Sequence, residues 1–155
     1  MTLYLRQATA QDLPQVLQLY AQPAMDNGQV LSLAAAEQHL AQFSRYPSYR
    51  LFVACSGLQG DPTCDNPVIG TFALLVMHNL AHQGTPSAIV EDVVVSAEHQ
   101  SQGVGRAMMA HAIGLAREAG CYKLVLSSNQ KRERAHAFYE SLGFQRHGLS
   151  FLIEI

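Results

Sequence analysis

The chain has 155 residues, 48% of them hydrophobic and 14% charged, with a formal net charge of -2. That length fits a single domain over residues 1–155, burying about two-thirds of its unfolded surface, and the composition excludes a disordered chain. The charge balance lacks the basic stripe of a nucleic-acid binder, and no apolar run approaches the ~20 residues that span a bilayer, so neither nucleic acid nor membrane is expected as a partner.

Residues 2–8 alternate around Leu3 and Leu5 and read as a first strand. Residues 12–20 carry Leu13, Val16, Leu17 and Tyr20 at helical spacing, with Thr9 as the N-cap and Pro14 in the first turn. Asn27-Gly28 marks a turn, and Ser32 caps a second helix over 32–43. Residues 50–56 and 68–78 are apolar β-type runs on either side of a Gly-, Pro- and Asp-rich loop at 57–67, which predicts a hairpin. A strand over 87–96 follows. A helix is expected over 103–119, with Val104, Met108, Ala112 and Leu115 facing inward and Gly120 closing it. The chain then reads as a strand over 122–127, a helix over 133–142 ended by Gly143, and a last strand over 151–155. This order predicts an α/β protein with a mixed sheet and helices on both faces.

The N-terminus has no basic region followed by a long apolar stretch, so no signal peptide is expected. Three cysteines, Cys55, Cys64 and Cys121, are widely spaced and odd in number, which predicts free thiols and a cytoplasmic protein. Seven histidines raise the question of a metal. His78 and His82 are four apart, but Asn79 stands where a His-Glu-x-x-His motif needs glutamate, and no metal is expected. Both fall at a strand end and the loop that follows it. His111 and His136 read as packing or surface residues.

The most informative stretch is the strand end Val93-Val94-Val95 running through Gln100-Ser101-Gln102-Gly103-Val104-Gly105-Arg106 into a helix. A helix start offers free N–H groups and the positive end of the dipole. Gly103 and Gly105 remove side chains where a ligand must approach the backbone. This suits a pyrophosphate, although a glycine-rich turn that merely starts a helix has the same pattern. A dinucleotide fingerprint fails because its third glycine would be Met108, and no Gly-Lys-Ser/Thr of a nucleotide-triphosphate loop occurs.

Read together, Gln100 to Gly105 resemble the Gln/Arg-x-x-Gly-x-Gly/Ala signature of the GNAT N-acetyltransferases, with Gln100 in place of the commoner arginine. Ala135 to Phe144, including Phe138-Tyr139-Glu140, resemble that family's Tyr-Glu-x-x-Gly-Phe signature, and Leu5 to Leu13 its opening. Within the family, Glu91 to Val95 and Gly120 to Lys123 are similar to glucosamine-phosphate acetyltransferases. Arg132 to Tyr139 are similar to aminoalkylphosphonate acetyltransferases.

The resemblance implies a mostly antiparallel central sheet and direct transfer of acetyl from acetyl-CoA to a primary amine of a small molecule. A protein lysine or N-terminal acetyltransferase, or a non-catalytic acetyl-CoA-binding regulator, stays open beside it. It further implies cofactor contacts from Val93, Val94, Val95, the segment Gln100, Ser101, Gln102, Gly103, Val104, Gly105, Arg106, and Arg132, Ala135 and Phe138. Arg132 stands where many members have asparagine, and it suits a CoA phosphate, a phosphorylated acceptor or a solvated helix start. A β-bulge is implied at residues 93–95, where a backbone N–H of Val93 or Val94 would polarise the thioester carbonyl. Tyr139 is the implied acid for the leaving thiolate. Glu91 is the candidate base, through water. Strict alternation puts it on one face with Val93 and Val95 unless the bulge breaks the phase. Many relatives pair through C-terminal strands, so a homodimer is expected through residues 151–155.

Overall fold

The computed structural model describes residues 2–57 and 66–155. The middle of the loop expected at 57–67, Cys64 included, lies outside the described residues. They form two compact units, one running through Val125 and the other Leu126–Ile155.

The first unit is built on a five-stranded sheet ordered β1-β2-β3-β4-β5. Strands β1 (Leu3–Gln7), β2 (Tyr49–Ser56), β3 (Val68–Met77) and β4 (Ser87–Val95) are antiparallel neighbours. β5 (Leu124–Val125) runs parallel to β4. The expected hairpin is β2–β3, with Phe52 opposite Phe72 and their rings stacked at 5.2 Å.

Three helices pack on this sheet: α1 (Leu13–Tyr20), α2 (Leu33–Phe43) and α3 (Val104–Glu118). Alternation along β2 sends Leu51, Val53 and Cys55 to one face. Val16 and Leu19 of α1 share that cluster, and Leu40 and Phe43 of α2 pack against it. Phe52 and Phe72 point the other way and meet the edge of His111 on α3 at 5.5 and 6.5 Å. The helices therefore cover both faces. The buried stripe of α3 is Val104, Met108, Met109, Ala112 and Ala116. It is wider than expected and centred on Ala112, which leaves Leu115 at its margin, half-buried.

The entry to α1 is tightly specified. Thr9 caps as expected, but residues 10–12 form a 3-10 turn and the α-helix begins one residue later than predicted, at Leu13. The Thr9 N–H donates to Asp12 Oδ2 at 2.7 Å. Arg6 donates to both Asp12 oxygens at 2.6 and 2.7 Å, and Asp12 is only 3% exposed. Burial alone would raise the Asp12 pKa. The Arg6 guanidinium and the Thr9 donors outweigh it and hold the carboxyl below its ordinary value.

The second unit carries α4 (Glu133–Ser141). In it, Tyr139 packs against Phe138 and Phe144, with ring centroids at 5.1 and 5.8 Å. The last strand expected over 151–155 is not formed. Its apolar side chains stay exposed, Phe151 at 91% and Ile153 at 84%. A strand is stable only when a neighbour takes its backbone hydrogen bonds, and β propensity alone does not supply one.

Candidate active site

The pairing of β3 with β4 runs in register from Met77–Ser87 to Ala73–Glu91, then slips so that Thr71 faces Val94. Phe72 thus stands against two residues, Asp92 and Val93, and Asp92 takes a left-handed φ of 52°. This is a β-bulge, with its extra residue on β4. It begins at Asp92, just before the segment where it was expected. It also overturns strict alternation. Glu91 and Val94, not Glu91 and Val93, share the α1–α2 face, because their partners Ala73 and Thr71 are two apart on β3. Ala73 belongs to the core under α1, and Val94 packs against it. Among the described residues β5 meets β4 at Ala88 and Ile89, and none of them forms a strand on that side of Val90 to Val95. Val93, Val94 and Val95 are accordingly half-buried rather than core residues.

Beyond Val95 the chain is held from α1. The Ala97 N–H donates to Gln22 Oε1 at 2.9 Å, while Gln22 Nε2 donates to the Leu19 carbonyl at 3.0 Å. Gln102 Nε2 donates to the Glu98 carbonyl at 2.8 Å and closes the loop. Ser101 and Gly103 have φ of 61° and 88°. Gly103 is the residue that caps α3, and a Cβ placed on it would meet nothing within 4 Å. The Ala107 N–H is bonded to the Gly103 carbonyl at 3.0 Å. The N–H groups of Val104, Gly105 and Arg106, one turn earlier, have no preceding helical carbonyl to bond and point out of the helix mouth. Val104 is 1% exposed and anchors the turn, while Gln100, Ser101, Gln102, Gly103 and Arg106 are exposed. The result is an open helix N-terminus with the positive end of the dipole behind it.

Acidic groups gather on the α1–α2 side of the bulge. Partial desolvation and the neighbouring Asp92 push the Glu91 carboxyl above its ordinary pKa. Desolvation and Asp26 do the same to Asp92. Burial and the charge of Asp92 raise the Tyr20 phenol, opposed by the nearby Thr71 hydroxyl. A carboxylate with a raised pKa is a better proton acceptor near neutral pH.

Helix α4 carries the other expected residues. Arg132 is exposed at its start, and Ala135 and Phe138 are half-buried. Burial raises the Tyr139 phenol, opposed by the nearby Arg132 charge, so the hydroxyl stays protonated and able to donate. His136 Nε2 lies 2.9 Å from the Asn129 carbonyl. His82 stacks on Tyr122 at 4.5 Å.

Two residues of this site were not singled out from the sequence. Asp92 had a signal: it is the second of two adjacent carboxylates entering an apolar run. Gln22 had none, because its role depends on a partner 75 residues away.

The model of the Acetyltransferase (GNAT) family matches residues 13–144. Glucosamine 6-phosphate N-acetyltransferase of Trypanosoma brucei brucei is 32% identical over 87 residues, 54% of this chain and 57% of that protein. Aminoglycoside N(6')-acetyltransferase type 1 of Stenotrophomonas maltophilia is 28% identical over 97 residues, 61% of this chain and 59% of that protein. The chain thus spans little more than half the length of these relatives. A solved protein of Agrobacterium tumefaciens str. C58 superposes with a TM-score of 0.85 at 32% identity, over 98% of this chain and 99% of its own. An acetyltransferase structure from Trypanosoma brucei gives 0.80 at 27% identity, over 99% and 100%. From its bulged fourth strand to its glycine-capped helix, the chain belongs to the Acetyltransferase (GNAT) family.

Proposed function

We propose that the protein is an acetyl-CoA-dependent N-acetyltransferase, working as one domain over residues 1–155 on the primary amine of a small molecule. The observation that carries this reading is the open N-terminus of α3, with Gly103 left-handed and unobstructed, continuous with the bulged end of β4. The names of the relatives support an amine acceptor.

In this reading the N–H groups of Gly103 to Arg106 hold the pyrophosphate of acetyl-CoA. Gln100, Ser101 and Gln102 line the approach. Val93, Val94 and Val95 present backbone to the pantetheine arm, and a Val93 or Val94 N–H polarises the thioester carbonyl. Arg132, Ala135 and Phe138 contact the cofactor from α4. Glu91 takes the ammonium proton through water. The amine nitrogen then bonds the acetyl carbon as the carbon–sulfur bond breaks, and Tyr139 gives its proton to the departing thiolate.

The test is release of free thiol from acetyl-CoA with a panel of amino sugars, aminophosphonates, polyamines, aralkylamines and lysine peptides. Amine-dependent release with a small molecule supports the reading. Release only with peptides moves the acceptor to proteins. Tight acetyl-CoA binding with no release from any amine makes the chain a sensor.

A further inference from the structure

A cavity of about 210 Å³ opens beside the first turn of β2, and nothing in the transfer chemistry above uses it. Gln7 and Ser44 give its walls a polar part, and three aromatic rings form a shelf on one side. Phe43 and Tyr49 stack at 4.2 Å with their planes 13° apart, and Tyr46 stands edge-on to Tyr49 at 5.9 Å. Leu40 and Pro47 add apolar lining, and the Arg50 guanidinium lies over the Phe52 ring at 5.8 Å. Tyr46 is 58% exposed, so this shelf is more than core packing.

Tyr49 links the cavity to the acidic side of the bulge. It packs on the same core as Val94 and shares the face that Glu91 occupies. Leu51, Ala73 and Glu91 form one row across β2, β3 and β4, with the small Ala73 between the shelf side and the carboxylate. Burial, then the charges of Asp92 and Glu91, raise the Tyr49 phenol, which places both acids within its field. Among the described residues the salt bridges are Arg6–Asp12 and Arg146–Glu140, so Asp26, Glu91 and Asp92 have no cation of their own.

We infer that the cavity and these carboxylates form the acceptor site, and that the acceptor is a primary amine carrying a flat aromatic body, an aralkylamine. The inference rests on the acetyltransferase reading for its chemistry, but the site is defined by its own walls. The ring lies on the Phe43–Tyr49 shelf, where offset aromatic contacts are favourable. The cavity's volume of about 210 Å³ exceeds that of one aromatic ring. The ammonium is held by Asp92 and Glu91, the latter positioned to take its proton. A phosphorylated amine would bring its phosphate into a negative field that, among the described residues, has no paired cation. A polyamine would satisfy the acids but leave the aromatic shelf uncovered.

The experiment is calorimetric titration of 2-phenylethylamine, spermidine and glucosamine 6-phosphate into the protein without acetyl-CoA. The parent should bind 2-phenylethylamine at least ~10-fold more tightly than either competitor. Tyr46→Ala, at an exposed position, and Asp92→Asn should each weaken it by ~10-fold. Tyr46→Ala should leave the acetyl-CoA dissociation constant unchanged. Should Tyr46→Ala fail to fold, Tyr46→Leu keeps the bulk and removes the aromatic edge. Equal or tighter binding of spermidine or glucosamine 6-phosphate overturns the inference, as does unchanged affinity in the variants. Because no cofactor enters this titration, failure of the acetyltransferase reading shows separately, as absent acetyl-CoA binding.

Discussion

Gln22 Oε1 accepts the Ala97 N–H at 2.9 Å, which ties the end of α1 to the first residue of the loop leading into α3. One side chain thereby fixes where β4 stops and that loop begins. Gln22→Leu is expected to weaken acetyl-CoA binding by ~10-fold, the value of one well-placed hydrogen bond, with kcat at saturation little changed. Gln22→Glu keeps the acceptor oxygen and should recover much of the affinity. Equal affinity in all three proteins would show that the loop holds its shape without this tie.

Arg6 and Asp12 form a second constraint, at the start of α1. Arg6→Met leaves a carboxylate that is 3% exposed without its cation, at a cost of about 3 kcal/mol and a Tm about 10 °C lower. The pH dependence has a definite sign. The Asp12 pKa is lower folded than unfolded. The pair therefore stabilises fully above the ordinary aspartate value near ~4 and loses that contribution as pH falls through the folded pKa. The parent–variant difference in unfolding free energy should be constant from pH 5 to 7 and shrink below about pH 4. A difference that does not change down to pH 2.5 would contradict this.

The elements that make contacts near in sequence were legible. Thr9, Ser32 and Gly120 act as the caps their residue types suggest, because capping is decided within one turn. The strands with continuous apolar runs formed, because such runs are satisfied only inside a sheet. The strand over 151–155 did not form, because its apolar pattern carries no information about a partner backbone. Which valine shares the face of Glu91 turned on the bulge for a related reason. A single bulge at Asp92 inverts every later side chain, and its position is set by the β3 register rather than by β4 alone. The glycine pair was visible in the sequence, but the Gln22 tie and the aromatic shelf depend on tertiary neighbours.

Tyr139→Phe separates chemistry from binding. The ring stays packed on Phe138 and Phe144, so the helix should hold. Loss of a general acid costs about 10²–10⁴-fold in rate, and the lower part of that range is expected because a thiolate is already a fair leaving group. The acetyl-CoA dissociation constant should change little. Unchanged kcat would return Tyr139 to a packing role, and lost affinity with normal kcat would make it a binding residue.

Residues 151–155 expose a run of large apolar side chains, and a second copy of the chain would cover them. We therefore expect a homodimer at micromolar concentration by light scattering, and dissociation on Phe151→Asp combined with Ile153→Asp. A monomeric mass at 100 μM for the parent would exclude this assembly.

The central claim is that the mouth of α3 binds acetyl-CoA. Its most direct test is calorimetric titration of acetyl-CoA into the parent and into Gly105→Val, with NADH and ATP as controls and circular dichroism to confirm the fold. Parent binding well above that of NADH or ATP is expected, with at least ~100-fold loss in Gly105→Val because a branched side chain blocks the backbone donors. Equal affinity of parent and Gly105→Val for acetyl-CoA, or equal affinity of the parent for all three ligands, would contradict it.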